Sequence, residues 1–201
     1  MKNEIKDKNY WIEVWNRFRS GDQEAFAVLY NLHIDSLYHY GTNLCKDDAA
    51  VKDALQELFL ELFLKRDKIK IAPENLKYYL ILALKRNLIR KLQTERTFIR
   101  GFKNPVDFEP EYSIEFQIIE QEKDAEINRK VMKILNQLPA KQKEAVYLRF
   151  NESLEYSEIA GILEITVESV RKQVHRALKT VREIIGNNPI AIYFALFMKK
   201  S

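Results

Sequence analysis

Apolar residues recur every three or four positions along most of the chain, and the breaks fall at Gly, Pro or residues able to cap a helix. Trp11, Val14, Trp15 and Phe18 make a first short amphipathic helix. Ser20-Gly21-Asp22 breaks it and supplies a cap for the next, along which Phe26, Leu29, Tyr30, His33, Leu37 and Leu44 keep helical spacing. A third helix is predicted from Asp47 to Lys65, with Val51, Ala54, Leu55, Leu58, Phe59, Leu62 and Phe63 as a stripe one face wide. Pro73 stands where a first helical position would be, and a fourth helix follows through Leu76, Tyr79, Leu80, Ala83 and Leu84 to Leu88 and Leu92.

The pattern stops after Arg100. Gly101, Pro105 and Pro110 interrupt any helix, and Asp107, Glu109, Glu111, Glu115, Glu120, Glu122 and Asp124 face Lys123 alone. Residues 101–124 therefore form the best candidate for an interdomain linker, either a solvated spacer or a segment that enters a cationic channel of a partner. Helical spacing resumes near Ala125 with Ile127, Val131, Ile134 and Leu135 and ends at Leu138-Pro139; a short helix then covers Lys141 to Phe150.

The sharpest local signal comes next. Tyr156 to Leu163 is a helix carrying Ile159, Ala160, Ile162 and Leu163. Glu164-Ile165-Thr166 is a turn, and Thr166 is a good N-cap for a second helix from Val167 to about Ile184, buried at Val170, Val174, Ala177, Leu178 and Val181. A small residue, Ala160, permits a close crossing, and Ile165 can plug the space between the helices. Two helices joined by so short a turn at a steep angle form a helix-turn-helix. The turn position that usually holds Gly is Glu164, which is expected to take a positive φ.

The other face of that second helix carries Ser169, Arg171, Lys172, Gln173, His175, Arg176 and Lys179. Long donors and amides near its N-terminus suit base edges in the major groove, and the cations further along suit phosphates. A solvated basic face is the plainer alternative. His175 reads as a polar contact, since no second His or Cys stands near it.

Composition agrees with an all-α protein. The chain has 201 residues, 46% of them apolar, and only 5 Gly and 5 Pro, which leaves little material for hairpins. Cys45 is the single cysteine, so an internal disulfide is impossible; it reads as a small core residue, with a reactive thiol as the alternative. With only His33, His39 and His175 beside it, zinc ligands are scarce, and neither metal nor cofactor is expected. Met1 to Lys8 is polar, and Pro189 to Met198 is half the length of a membrane span, so a cytoplasmic protein is expected. The net charge of +4 says less than its distribution. Lys65, Arg66, Lys68, Lys70, Lys77, Lys85, Arg86, Arg90, Lys91, Arg96, Arg100 and Lys103 oppose only Asp67, Glu74 and Glu95, a field that attracts a phosphate backbone. Tyr78 and Tyr79 are either core aromatics or a stacking face for an unpaired base.

These features together resemble a sigma factor of the extracytoplasmic-function (ECF) group. Leu138-Pro139-Ala140-Lys141-Gln142-Lys143-Glu144, Tyr156-Ser157-Glu158-Ile159-Ala160 and the string from Ser169 to Leu178, ending His175-Arg176-Ala177-Leu178, are similar to its region 4. Gly21-Asp22-Gln23-Glu24-Ala25-Phe26 with Leu29-Tyr30 resembles the opening of region 2. Asp53-Ala54-Leu55-Gln56-Glu57-Leu58-Phe59-Leu60 is similar to the polymerase-binding helix. Tyr79-Leu80 with Lys85-Arg86-Asn87 and Arg90-Lys91 resembles the helix that engages the melted promoter element; where the family often has Asn, spacing from Tyr79 puts Arg86, with Asn87 next.

The resemblance implies a division of labour. Residues 10–100 would bind core RNA polymerase through Asp53, Gln56, Glu57 and Leu60, and the opened downstream promoter element through Tyr79, Lys85, Arg86, Asn87, Arg90 and Lys91. Residues 125–186 would read the duplex upstream element. The linker would span them through the enzyme's cationic RNA path: fully extended, residues 101–124 reach roughly 80 Å, similar to about 25 base pairs of duplex. An anti-sigma protein is a further expected partner. Residues 187–201 form an apolar tail after Gly186-Asn187-Asn188-Pro189, either folded back on the core or docking a partner or membrane surface.

A polymerase-independent helix-turn-helix regulator, binding palindromes by itself, is the rival reading. An enzyme is not expected: the chain has no Gly-rich phosphate loop, no clustered metal ligands and no nucleophile motif.

Overall fold

A computed structural model describes residues 8–98, 108, 133 and 136–185. Every regular element among them is helical, and the chain divides into two compact units, Met1–Phe102 and Lys103–Ser201.

The first unit holds α1 (Lys8–Arg19), α2 (Gln23–Leu44), α3 (Asp48–Leu64) and α4 (Leu76–Phe98), the last entered through a 3₁₀ turn at Pro73–Asn75. Gly21 makes the α1–α2 corner with φ +97°, a conformation that costs a residue with a Cβ dearly. Asp22 then caps α2, accepting from the Glu24 and Ala25 amides at 2.9 and 3.2 Å, while Arg17 Nε donates to its other oxygen at 2.6 Å. Asp47 caps α3 through the Ala50 amide. Helices α2, α3 and α4 pack on one another, and α1 lies on α2.

Val14, Trp15, Phe18, Leu37, Val51, Leu58, Leu62, Leu80, Leu84 and Leu88 fill the core of this unit, which the three- and four-residue spacing predicts. Cys45 is buried among them. Gly41 lets helices approach closely, since a Cβ there would sit 2.7 Å from Val51 Cγ1 and 3.7 Å from Leu84 Cδ2 and Leu88 Cδ1. Helix α4 runs on past Leu92, where the apolar spacing ends, to Phe98.

The second unit holds α5 (Ala140–Phe150), α6 (Tyr156–Leu163) and α7 (Val167–Ile185). Helix α7 packs on both α5 and α6, burying Val170, Val174, Ala177 and Val181. Lys133, Asn136 and Gln137 are helical, and Leu138 is buried where the helix has ended; the other residues of the helix expected from 125 lie outside the described residues, as does the apolar tail. Of the expected linker, Phe108 is described, and it departs from a solvated spacer. It is 1% exposed and packs edge-on against Tyr147 of α5, with ring centroids 5.4 Å apart. An aromatic ring gains more from burial than the surrounding acids lose by having one neighbour anchored.

Candidate nucleic-acid interface

In the second unit the turn between α6 and α7 is built as its length demands. Glu164 is left-handed, with φ 53° and ψ 44°, and its amide donates to the Ala160 carbonyl; Ile165 N–H donates to the same oxygen at 3.1 Å. Thr166 Oγ1 accepts from the Ser169 amide at 3.2 Å and shares a hydrogen bond with the Ser169 hydroxyl at 2.8 Å. The Glu158 carboxylate accepts from the Glu155 amide at 2.7 Å, closing the N-terminus of α6. Both helices are thus fixed at the ends that meet.

Arg171, Lys172, His175, Arg176 and Lys179 of α7 are exposed, and Ser169 and Gln173 are half-buried. All seven expected contact residues lie off the buried stripe, so one helix presents them together. Lys172 and Lys179 pair along the helix with Glu168 at 2.6 Å and Glu183 at 3.7 Å. Exposed pairs of this kind are weak and yield readily to a phosphate.

In the first unit α3 turns Asp53, Gln56, Glu57 and Leu60 outward; Leu60 is 57% and Leu64 is 64% exposed. Between α2 and α3 lies an apolar groove of about 670 Å³, walled by Phe26, Tyr30, Ile34, Leu55, Phe59 and Phe63, with Gln56 and Leu60 also in its lining. Sequence spacing assigns Phe26 and Tyr30 to the core, but the structure leaves Phe26 half-buried and Tyr30 38% exposed in this groove.

On α4, Arg86 and Arg90 are exposed, while Tyr79, Lys85, Asn87 and Lys91 are half-buried. Tyr78 and Tyr79 are neither core nor fully open. Spacing along one helix could not show that α3 and α4 join their polar faces. Lys91 Nζ lies 2.7 Å from Glu57 Oε1, and Asn87 Nδ2 donates to Glu57 Oε2 at 3.0 Å. Arg90 donates in turn to Asn87 Oδ1 at 3.3 Å. Lys91, then Asn87, hold the Glu57 carboxyl below its ordinary range. One carboxylate thus links the expected polymerase-binding face to two expected promoter contacts.

Two further residues escaped the sequence reading. Tyr156 lies under two guanidinium groups, Arg149 Cζ at 4.9 Å and Arg171 Cζ at 5.8 Å from its ring centroid. It stands on a different helix from each, so no single-element pattern signals the cluster. Among the described residues no group of His, Cys, Asp and Glu could hold a metal ion.

Comparison with known proteins brings both units under one family. Residues 29–112 match the model described as "Sigma-70 region 2", and residues 128–181 match "Sigma-70, region 4". The RNA polymerase sigma factor CarQ of Myxococcus xanthus is 24% identical over 85% of this chain and 94% of its own length. The ECF RNA polymerase sigma factor SigW of Bacillus subtilis is 22% identical over 82% and 91%. Among solved structures, CnrH in complex with the cytosolic domain of CnrY aligns with a TM-score of 0.53 at 16% identity, over 87% of this chain and 96% of that one. The sigma factor RpoE in complex with the anti-sigma factor NepR from Bartonella quintana aligns with a TM-score of 0.56 at 18% identity, over 81% and 98%. The two region models fall in order on the two units, one over the groove and the α3–α4 polar link, the other over the helix-turn-helix, and cover well over half of the sequence: the chain belongs to the sigma-70 family, as a sigma factor of its ECF group.

Proposed function

We propose that the two units divide between them the work of a sigma factor. As a member of the family the chain is a transcription initiation factor and not an enzyme; it binds core RNA polymerase and directs it to promoters. Within that role, residues 10–100 form the polymerase-binding and downstream-element domain, residues 101–124 the connection, and residues 125–186 the upstream-element domain. Asp53, Gln56, Glu57 and Leu60 of α3 dock the polymerase. Tyr79, Lys85, Arg86, Asn87, Arg90 and Lys91 of α4 meet the opened downstream element. Ser169, Arg171, Lys172, Gln173, His175, Arg176 and Lys179 of α7 meet the upstream duplex.

The observation that carries this reading is the one-sided basic face of α7 on a capped helix-turn-helix. A helix so held can enter a major groove as a rigid rod with its donors already aimed. The exposed leucines and polar residues of α3 supply the mixed apolar and polar face that protein docking needs.

An anti-sigma protein is the expected regulator, in line with the solved relative bound to NepR. The site of action is the cytoplasm, where core polymerase works. No described helix is long and apolar enough to cross a membrane.

Run-off transcription with core polymerase and genomic DNA tests the whole reading. Discrete transcripts are expected only when chain and core are both present. Palindromic duplex binding by the chain alone, with no transcript from the mixture, replaces it with a polymerase-independent regulator.

A further inference from the structure

We propose that Tyr156 is a positioning residue for upstream-element recognition: its ring carries the Arg171 guanidinium and thereby sets where that donor fork meets a base edge. The inference rests on Arg171 reading a base, as proposed above.

Arg171 is an exposed side chain on α7, near the helix end that enters the groove first. A free arginine there must surrender rotamer freedom to make a two-pronged contact with a base, and this weakens the contact. Its neighbours on the same face are held by acids, Lys172 by Glu168 and Lys179 by Glu183. Arg171 is held differently: its Cζ lies 5.8 Å from the centroid of the Tyr156 ring, within reach of cation–π attraction. An acid would occupy the very N–H groups that a base needs. A ring attracts the flat of the guanidinium and leaves its edge donors open.

The ring is itself anchored. Tyr156 opens α6, and Arg149 at the end of α5 lies 4.9 Å from its centroid. Arg149 does not wander, because Nη1 donates to the Leu154 carbonyl at 2.7 Å and to Glu155 Oε1 at 3.1 Å. Glu155 also offsets the Arg149 charge, which reduces its repulsion of Arg171. Arg149, Tyr156 and Arg171 thus join α5, α6 and α7 into one cluster that ends on the proposed base-reading donor.

The strength expected follows from exposed cation–π pairs, roughly two- to fivefold in an equilibrium constant. Upstream-element variants compete for holoenzyme made from core polymerase and the full chain. Arg171→Ala should flatten preference at one base position, by roughly five- to hundredfold. Tyr156→Leu should reduce preference at that same position by roughly two- to fivefold and leave the other positions alone. It should add nothing in the Arg171→Ala background, and Tyr156→Phe should match the parent.

Phenylalanine carrying increasing numbers of fluorines at position 156 keeps the shape and drains the ring face, so discrimination should fall stepwise with no loss of helix content. This series decides the matter even if Tyr156→Leu fails to fold. Unchanged discrimination across it overturns the proposal, as does a uniform loss of affinity in Tyr156→Phe, which marks the hydroxyl as a phosphate contact. Tighter binding in Tyr156→Leu also overturns it, since the ring would then be withholding Arg171. If Arg171→Ala itself leaves base preference intact, the assignment of Arg171 falls first and the role of Tyr156 falls with it.

Discussion

Glu164 is a β-carbon residue in a left-handed conformation, and it is held there because the α6–α7 turn has no room for another path. Replacing it with Gly removes the steric penalty and adds a smaller loss from the freer unfolded chain. Glu164→Gly should therefore stabilise the protein by about 0.5–1 kcal/mol, seen as a higher Tm. Asp22 is a second single-residue lever. Arg17 and the capped amides of Ala25 and Glu24 lower its pKa below the ordinary 3.8. A carboxyl so lowered adds stability that is fully present above pH 3.8 and is lost as pH falls through the folded value. Asp22→Asn should keep an acceptor for the cap but flatten the fall of Tm below about pH 4; an unchanged acid slope would mean that other carboxylates govern it.

At the scale of elements, α2, α3 and α4 meet around Gly41. Alanine there raises helix propensity by about 1 kcal/mol, but its Cβ would lie 2.7 Å from Val51 Cγ1. Overpacking of a filled crossing costs about 1–3 kcal/mol, so Gly41→Ala should lower Tm despite the better helix former. On the proposed assignment, α7 separates base reading from phosphate contact along its length. Lys179 lies late on the helix and pairs only loosely with Glu183. Lys179→Ala should weaken binding evenly across duplex sequences and reduce the salt slope by about one unit; a changed base preference would reverse the orientation assigned to α7. The buried faces of these helices were legible because a stripe shows in a single sequence, at Val51, Leu55, Leu58 and Leu62 or at Val170, Val174 and Val181; the end of α4 at Phe98 was not, since its apolar spacing stops at Leu92. The left-handed turn residue was legible too, because Glu164 stands at the turn position that usually holds Gly.

At the scale of the molecule the sequence told less. The acids around Phe108 hide its burial against Tyr147, since one ring among many charges leaves no period. The α2–α3 groove likewise depends on how two helices splay, which turns Phe26 and Tyr30 from expected core into its wall. Docking is best tested on residues free of the α3–α4 link. Gln56 and Leu60 are exposed, and losing a contact worth about 1.4 kcal/mol, as an interface hot spot is, weakens binding about tenfold. Gln56→Ala combined with Leu60→Ala should lower affinity for core polymerase by at least that factor, with Tm unchanged. Full affinity in the double variant would remove this face from the interface.

Glu57 bears on how such a protein can be retargeted. Its two oxygens are shared between Lys91 and Asn87, so on the proposed assignment a change of promoter preference made at either residue takes a partner from a carboxylate on α3. Variation that seeks new downstream elements is then filtered by fit to the polymerase, and acceptable solutions should arrive as paired changes at position 57 and at 87 or 91. The contacts of α7 with Tyr156, Glu168 and Glu183 all stay within its own unit. If α7 reads the upstream element as proposed, that specificity is the half that can drift, or be exchanged by design, without changes in the first unit.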